Sequence, residues 1–206
     1  VIGLLAAALG VGRGDQEGLA RLAVLRLGVR VDRVGQVARD YQTAGGGKVP
    51  SLEQYGVIKA DGKSVGTVVS TRHYLADAEF IAGLEGDRVL LQELDRALVA
   101  PVWPLYLGRR AFVPTPPLRL GIVDQDLTEA LAGWGWVPET FRDDPPEPGL
   151  RLLLETDNPH DAARYDHPLS FRSNDRQYRL RYVKEDWLSC ELVRKEVAHV
   201  PLPVSA

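Results

Sequence analysis

The sequence predicts an α+β fold whose first half alternates helices with strands and whose second half is rich in strands. With 206 residues, 45% of them hydrophobic and 26% charged, the chain has the composition of an ordinary globular protein. Apolar residues recur at helical spacing in some segments and alternate with polar residues in others. The segments run in the order helix, strand, long insertion, strand, helix, loop, strand. That order fits the ferredoxin-like (RRM-like) βαββαβ plan without its first strand.

Three helices are predicted in the first half. The apolar run of residues 1–12 ends at Arg13 and indicates a buried first helix that ends near Gly10. The run is shorter than the ~18 residues that span a bilayer. Asp15 is expected to cap the second helix, whose apolar positions are Leu19, Leu22, Ala23 and Leu25. The third helix ends before Pro101, and its apolar stripe consists of Val89, Leu90, Leu94, Ala97 and Leu98.

Three strands are predicted in the same half. Residues 26–32 alternate in the manner of a half-exposed strand. Residues 71–82 are predicted to form one strand, with Tyr74, Ala76, Ala78, Phe80 and Ala82 on one face. A third strand is expected around Leu118 to Val123. Between the first two lies a polar, Gly-rich insertion from about Gly35 to Ser70.

We therefore divide the chain into a ferredoxin-like domain, residues 1–124, and a smaller β-rich region, residues 125–206, packed on it. Strands are expected in that second region at 150–155, 178–183 and 190–200, with a core anchored by Trp134, Trp136 and Trp187. Between Asp124 and Asp166 there are eleven acidic residues and three arginines, a net charge of −8. This segment accounts for the net charge of −3 of the whole chain.

Patterns for metal, nucleotide or nucleophilic chemistry are weak. The single cysteine, Cys190, excludes an internal disulfide and any multi-cysteine metal site. A polar segment could supply metal ligands, but its spacing fits no compact helical motif and favours a solvated loop; its members are Asp157, His160, Asp161, Asp166 and His167. Residues 56–64 miss the phosphate-loop spacing by one residue and favour a hairpin turn at Asp61-Gly62. We expect no metal, no cofactor and no membrane anchor.

The insertion differs from the rest of the chain in charge and in aromatic content. From Arg33 to Tyr74 it carries six cationic and three acidic side chains, with Tyr41 and Tyr55 between them. Farther on, Tyr106 precedes Arg109-Arg110. Guanidinium groups grip phosphates and tyrosine rings stack on unpaired bases, so the pattern suggests recognition of single-stranded RNA. A solvated, merely soluble loop explains the same composition equally well.

His73 permits a catalytic alternative. Beside Arg72 and Tyr74 it could act as a general base on a ribose 2′-hydroxyl, because an unperturbed imidazole titrates near neutral pH. A surface histidine on a strand is the more common situation. The alternative function is a metal-independent endoribonuclease.

Several segments together resemble one family. GLLAAALG, RDYQT at residues 39–43, TRHYLADAEF at 71–80 and PLYLGRR at 104–110 occur in the order found in the CasD family of type I-E CRISPR Cascade subunits, within the RAMP superfamily. The resemblance covers about the first 120 residues. Family members begin with an extra strand and an Arg-Ser-Gly lead into the first helix, which this sequence does not contain.

The resemblance implies a cytoplasmic, non-catalytic RNA-binding subunit that caps the 5′ handle of the guide RNA and helps to assemble an antiviral surveillance complex. It implies that residues 35–72 form a long β-hairpin thumb. It places the handle pocket at Arg72, Tyr106, Arg109 and Arg110, with Arg39, Tyr41 and Tyr74 nearby. The implied partners are the guide RNA, the CasC and CasA subunits and, through the complex, target DNA. In a sibling system the corresponding protein cuts the precursor RNA. The alternative function, a metal-independent endoribonuclease that processes CRISPR repeat RNA through His73, therefore stays open.

Overall fold

In the computed structural model, the fold is mixed α/β and built around an antiparallel sheet. The structure describes residues 1–45, 57–58, 65–115, 117–136 and 149–189. Four helices are α1 (Ile2–Leu9), α2 (Gln16–Ala23), α3 (Arg88–Val99) and α4 (Leu127–Gly133) among these residues. The strands there are β1 (Arg26–Arg33), β2 (Gln36–Ala44), β3 (Val57–Ile58), β4 (Val65–Gly66), β5 (Val68–Ala76), β6 (Glu79–Glu85), β7 (Leu150–Thr156), β8 (Ala162–Arg172) and β9 (Asp175–Leu188).

The strands belong to two compact units, one comprising Val1–Asp32 with Phe80–Ala206 and the other Arg33–Glu79. In the first unit the main sheet has the order β6-β1-β7-β9-β8. The pairs β1–β7, β7–β9 and β8–β9 are antiparallel. In the second unit β2 pairs with β5 and β3 with β4, both antiparallel.

Local signals placed the helix ends correctly. Gly10 adopts φ 75° at the end of α1, a left-handed conformation that glycine reaches without steric cost. The Asp15 side chain accepts a hydrogen bond from the Gly18 amide at 2.8 Å and begins α2. Asp87 caps α3 in the same way, through the Leu90 amide at 2.9 Å. Within α3, however, Val89 is 66% exposed, so its predicted place in the apolar stripe is wrong.

Helices cover both faces of the main sheet. One core cluster joins α1, α2 and α3 and includes Leu84 of β6 at its edge. The other joins α4 to β7 and β9 and includes Ile81 of β6. Because residues an odd number apart on a strand point to opposite faces, these two contacts place the clusters on opposite sides of β6. A Cβ added at Gly83 would lie 2.7 Å from Leu127 Cδ1, which shows how closely α4 approaches the sheet.

Two of the predicted strands are wrong as stated. The segment of residues 71–82 is two strands, because Asp77 adopts φ 56° and breaks the extended backbone between β5 and β6. Beyond that break the alternation is reversed, and Phe80 is 46% exposed. Residues 118–123, all described, form no strand: Gly121 has φ 106°, and Arg119 is bound to Asp95 of α3 with Nε 2.5 Å from Oδ1.

The second half was predicted in part. The strands expected at 150–155 and 178–183 are confirmed as β7 and part of β9. The strand expected at 190–200, Cys190 and the Asp61-Gly62 turn lie outside the described residues. Trp136 packs against the second core cluster as expected, whereas Trp187 is 49% exposed and anchors no core. No helix among the described residues has both the length and the apolar character needed to cross a bilayer.

The middle of strand β1 is not half-exposed, because two of its polar side chains are buried. Arg30 is 0% exposed and Asp32 6%. The Arg30 guanidinium donates to both carboxylate oxygens of Asp32, at 2.7 Å each. It also donates to the backbone carbonyl of Leu131 at 2.6 Å and to those of Trp134 and Gly135, just beyond α4. This buried pair ties α4 to the sheet.

Candidate nucleic-acid interface

The β2–β5 hairpin sets the position of four predicted site residues. Its register runs from Gln36 opposite Ala76 to Ala44 opposite Val68. Directly opposed residues share a face of an antiparallel pair, and neighbours along a strand do not. Arg39 therefore lies on one face with His73 and Tyr41, and Arg72 lies on the other face with Tyr74. The hairpin does not bring these residues to one surface.

The face that carries Arg39 is open. Tyr41 is 69% exposed on it, and the opposed pair Val37 and Leu75 is 73% and 50% exposed. Arg39 and His73 are themselves exposed and directly opposite each other. This face combines apolar, aromatic and cationic side chains without burying them within its own unit.

The face that carries Arg72 is more enclosed and internally hydrogen-bonded. Arg72 Nε donates to Ser70 Oγ at 3.3 Å. Arg72 is opposite Asp40, whose carboxylate accepts a hydrogen bond from Gln42 Nε2 at 2.5 Å. Asp40 and Tyr74 are half-buried. The guanidinium on this face is thus held among polar neighbours.

Not every cation of the insertion contributes net positive charge. At the base of the hairpin, Arg33 Nη2 lies 3.2 Å from Asp77 Oδ1 and 3.3 Å from Glu79 Oε2. Both acids lie beyond Tyr74, where the predicted basic segment ends, and were therefore not counted in its charge. Their ion pairs neutralise the positive charge of Arg33. The other cations and tyrosine counted in that segment lie outside the described residues: Lys48, Tyr55, Lys59 and Lys63.

The second set of predicted residues lies on a closed loop of the other unit. The Leu107 amide donates to the Phe112 carbonyl at 2.7 Å, and the Phe112 amide donates to the Arg109 carbonyl at 2.9 Å. A further bond of 2.9 Å joins the Arg109 amide to the Leu107 carbonyl. Gly108 has φ 78°, a conformation that other residues adopt only with strain. The loop is thus shaped by its own backbone.

This loop gives its two arginines different environments. Arg109 is half-buried, and its guanidinium carbon lies 5.5 Å from the centre of the Phe112 ring, a cation–π distance. Arg110 is exposed, and Tyr106 is 37% exposed. The sequence prediction missed Phe112, although an aromatic residue two positions after an Arg-Arg pair could have signalled the stacking. The outward cation of the loop is Arg110.

The acidic and histidine residues considered as metal ligands are used differently. Residues 157–161 form a turn as predicted, but Asp166 and His167 lie on β8 rather than in a loop. Arg181 donates two hydrogen bonds to the Asp166 carboxylate, from Nε at 2.6 Å and from Nη2 at 2.9 Å. These hydrogen bonds lower the pKa of the Asp166 carboxyl. Burial, followed by the charge of Arg179, lowers the pKa of His167. Within the described ranges, no three such residues cluster as a metal site would require.

Comparison with known proteins gives consistent matches. A family model described as CRISPR-associated protein (Cas_Cas5) matches residues 1–184, so the likeness extends well past the first 120 residues. The CRISPR system Cascade subunit CasD of Escherichia coli (strain K12) is 35% identical over 133 residues, which is 59% of this chain and 56% of that relative's length.

Two solved structures are also similar. The crystal structure of a Cas protein matches with 37% identity and a TM-score of 0.66, covering 93% of this chain and 80% of the other. A chain of a CRISPR RNA-guided surveillance complex matches with 35% identity and a TM-score of 0.73, covering 91% of this chain and 76% of the other.

Proposed function

This chain belongs to the Cas5 family of CRISPR-associated proteins, and we propose that it is a non-catalytic, RNA-binding subunit of a Cascade-type surveillance complex. Its task in this proposal is to cap the 5′ handle of the guide RNA and to help nucleate assembly of the complex. One observation carries the proposal: 91% of the chain matches a member of an RNA-guided surveillance complex at a TM-score of 0.73. The E. coli relative is itself a Cascade subunit.

The closed loop around Gly108 supplies the chemistry for holding an RNA end. Arg110 is exposed and can present paired N–H donors to a phosphate. Tyr106 offers a partly exposed ring on which an unpaired base can stack. Because the backbone hydrogen bonds of the loop already fix its shape, little conformational entropy is lost on binding. The half-buried Arg109 lies against the Phe112 ring and stabilises the loop conformation that presents Arg110 and Tyr106.

The β2–β5 hairpin is assigned the role of a thumb in the proposed ferredoxin-like domain. We assign RNA contacts to it separately from those of the loop. Arg39 and Tyr41 are the contacts on its open face, and Arg72 and Tyr74 those on its enclosed face. The open face also carries Val37 and Leu75, which suit a neighbouring protein subunit. CasC and CasA are the proposed protein neighbours, target DNA is reached through the complex, and the division at residue 124 remains a prediction.

A low net charge is compatible with this role, because phosphate attraction is local. Charges are screened beyond ~8 Å at physiological salt, so acidic residues elsewhere on the surface hardly affect a bound RNA end. The acidic stretch from Asp124 to Asp166 is in part internally compensated, since Asp166 is bound to Arg181 and Asp124 to Arg88. The basic loop can therefore bind RNA in a chain whose net charge is −3.

The test replaces the outward cation and leaves the loop intact. We expect Arg110→Ala to weaken binding of 5′-handle RNA by about tenfold or more, because a hydrogen bond to a charged group contributes ~1.5–3 kcal/mol. Arg88→Ala is the matched control, since Arg88 is an exposed arginine whose partner is Asp124. Filter binding of labelled handle RNA to the full chain gives both affinities. Equal RNA affinity for the Arg110 variant, the control and the unaltered chain would contradict the assignment of the loop.

The endoribonuclease alternative is not favoured, because one similar protein is a Cascade subunit and another is a chain of an RNA-guided surveillance complex. His73 lies on the open face of the hairpin, opposite Arg39. Incubating the protein with CRISPR repeat RNA in the presence of EDTA distinguishes the two functions. Specific cleavage that disappears with His73→Ala would establish the enzyme and refute the non-catalytic role.

A further inference from the structure

The β8–β9 pair extends beyond the main sheet as a two-stranded ribbon. Strand β9 pairs with β7 only between Tyr182 and Leu188. Its earlier part, from Asp175 to Arg181, pairs with β8 alone. We call residues 164–181 the β8–β9 ribbon.

The β8–β9 ribbon has the opposite charge to the chain as a whole. It carries five arginines against Asp166 and Asp175, a net of +3, in a protein whose net charge is −3. The preceding stretch is strongly acidic, so the second half of the chain is divided into an acidic part and a basic part. The sequence analysis recognised the acidic excess between Asp124 and Asp166 but not the basic segment that follows it.

The guanidinium groups of three of the ribbon's arginines form no ion pair or hydrogen bond with any residue that the structure describes. Arg181 is bound to Asp166 and also lies 3.8 Å from Glu155, and Arg172 Nη2 donates to the Gly14 carbonyl at 3.3 Å. The remaining three are exposed and form no ion pair with any residue that the structure describes: Arg164, Arg176 and Arg179. An arginine that neither packs nor pairs is available to an external anion.

The arrangement of these cations suits a polymer of phosphates. Arg176 and Arg179 are three residues apart on β9, a separation of about 10 Å along the strand, and the odd spacing directs them to opposite sides. Arg164 is opposite Arg181, which lies two residues beyond Arg179 on β9. The register shift between Arg164 and His167 marks a bulge, which adds local twist. A twisted two-stranded ribbon is one of the elements that the major groove of B-DNA admits.

The number of exposed aromatic rings distinguishes a surface that binds duplex DNA from one that binds single-stranded nucleic acid. Proteins that bind single strands need several open rings on which bases stack. In the ribbon, Tyr165 is 73% exposed, but Phe171 and Tyr178 are half-buried. With one open ring and three exposed arginines outside any ion pair that the structure describes, the ribbon is suited to phosphates rather than to bases.

We propose that the β8–β9 ribbon is a second nucleic-acid surface that binds the phosphate backbone of double-stranded DNA through Arg164, Arg176 and Arg179. This site uses none of the residues of the loop assigned to the guide RNA, and it does not depend on that assignment. Binding is expected to be sequence-independent, because phosphate contacts carry no base information.

The test compares two triple variants with the same change in charge. The ribbon variant is Arg164→Gln, Arg176→Gln, Arg179→Gln. The control is Arg21→Gln, Arg88→Gln, Arg119→Gln, which removes arginines already paired with Glu93, Asp124 and Asp95. The probe is a fluorescent 30-base-pair DNA duplex of arbitrary sequence, and its affinity for the full chain is measured by anisotropy between 50 and 200 mM NaCl.

Loss of three phosphate contacts should flatten the plot of log affinity against log salt by about 2.7 for duplex DNA. The unaltered chain would then lose about 40-fold more affinity over that salt range than the ribbon variant. The control should keep the slope of the unaltered chain. A duplex slope that is the same in all three proteins overturns the proposal.

Two further outcomes also overturn it. One is that the ribbon variant binds duplex normally but fails to join its protein partners, which would make the ribbon a protein-binding surface. The other is that only binding of a single-stranded RNA of arbitrary sequence is weakened. Should the triple variant fail to fold, ultraviolet crosslinking of the unaltered protein to duplex DNA decides instead. Crosslinked peptides from residues 164–181 support the proposal, and their absence among mapped crosslinks refutes it.

Discussion

Replacing Arg30 by methionine should destabilise the protein more than the loss of a surface arginine. The side chain is 0% exposed and makes five hydrogen bonds, two to Asp32 and one each to the carbonyls of Leu131, Trp134 and Gly135. Methionine fills a similar volume but donates no hydrogen bond. The Asp32 carboxylate, 6% exposed, would be left buried without its cation, together with carbonyls at the end of α4.

The expected magnitude follows from that geometry. Removing one partner of a buried ion pair costs about 3–5 kcal/mol, because the remaining charge stays desolvated. For a chain of this size that loss lowers the melting temperature by roughly 6–20 °C. Replacing both partners, as Arg30→Met with Asp32→Leu, removes the stranded charge as well. The double variant should therefore regain most of the stability that the single variant loses.

Urea unfolding of the purified chain, followed by circular dichroism, measures these free energies. Arg26→Met is the control on the same strand, because the Arg26 side chain is 50% exposed and its nearest acid, Asp157, lies at 3.3 Å. Surface pairs contribute at most ~1 kcal/mol, so this variant should unfold almost as the unaltered chain does. If Arg30→Met costs no more than the control, or if the double variant is as unstable as Arg30→Met, the buried pair does not hold α4 to the sheet.

Three other predictions concern pH, backbone strain and stacking. Burial lowers the pKa of His167 in the folded chain, so as the pH falls the unfolded chain binds a proton at this residue before the folded chain does. The free energy of unfolding should therefore decrease as the pH drops below 6.5. His167→Leu should make that decrease smaller, as measured by urea unfolding at several pH values. Gly108→Ala should lower the unfolding free energy by ~1 kcal/mol, because alanine is strained at φ 78°. Gly12→Ala is the control, since a Cβ at either glycine would have no neighbour within 4 Å, and it should cause no measurable loss. Equal losses in the two variants would exclude backbone strain as the cause. Phe112→Leu should weaken binding of handle RNA about 2–5-fold, because it removes the ring against which Arg109 lies. Phe112→Trp should keep the affinity close to that of the unaltered chain. An unaltered affinity for the leucine variant would show that the contact between Arg109 and this ring is unimportant for RNA binding.

The predicted helix ends were correct because their signals are local. Asp15 caps α2 through an amide three residues away, and Gly10 ends α1 through its own dihedral angle. Strand positions were less predictable. The break at Asp77 required a non-glycine residue at positive φ, which alternation of apolar residues does not reveal. The first half of β8, up to His167, was predicted to be a loop because its charged residues, such as Asp166, bind a partner on β9 rather than solvent.

The candidate site shows the same limit. The sequence identified Arg72, Tyr74, Arg39 and Tyr41 as neighbours, but the register of β2 with β5 assigns them to two faces of the hairpin. It grouped Arg109 with Arg110 as equivalent cations. The structure makes one a half-buried partner of a ring and leaves the other exposed.

By itself, then, the sequence determined the end of α1, the start of α2, the end of α3, the motifs that carry the family resemblance and the YLGRR loop, since each of these depends on residues within a few positions of one another. It did not predict α4. Tertiary structure decided which polar side chains are buried, which arginines are neutralised and which of them face outward. The physical reason is that burial and ion pairing depend on contacts between distant segments, as between Arg30 and the end of α4. Those contacts are formed when strands pair and helices pack, and no spacing along the chain specifies them.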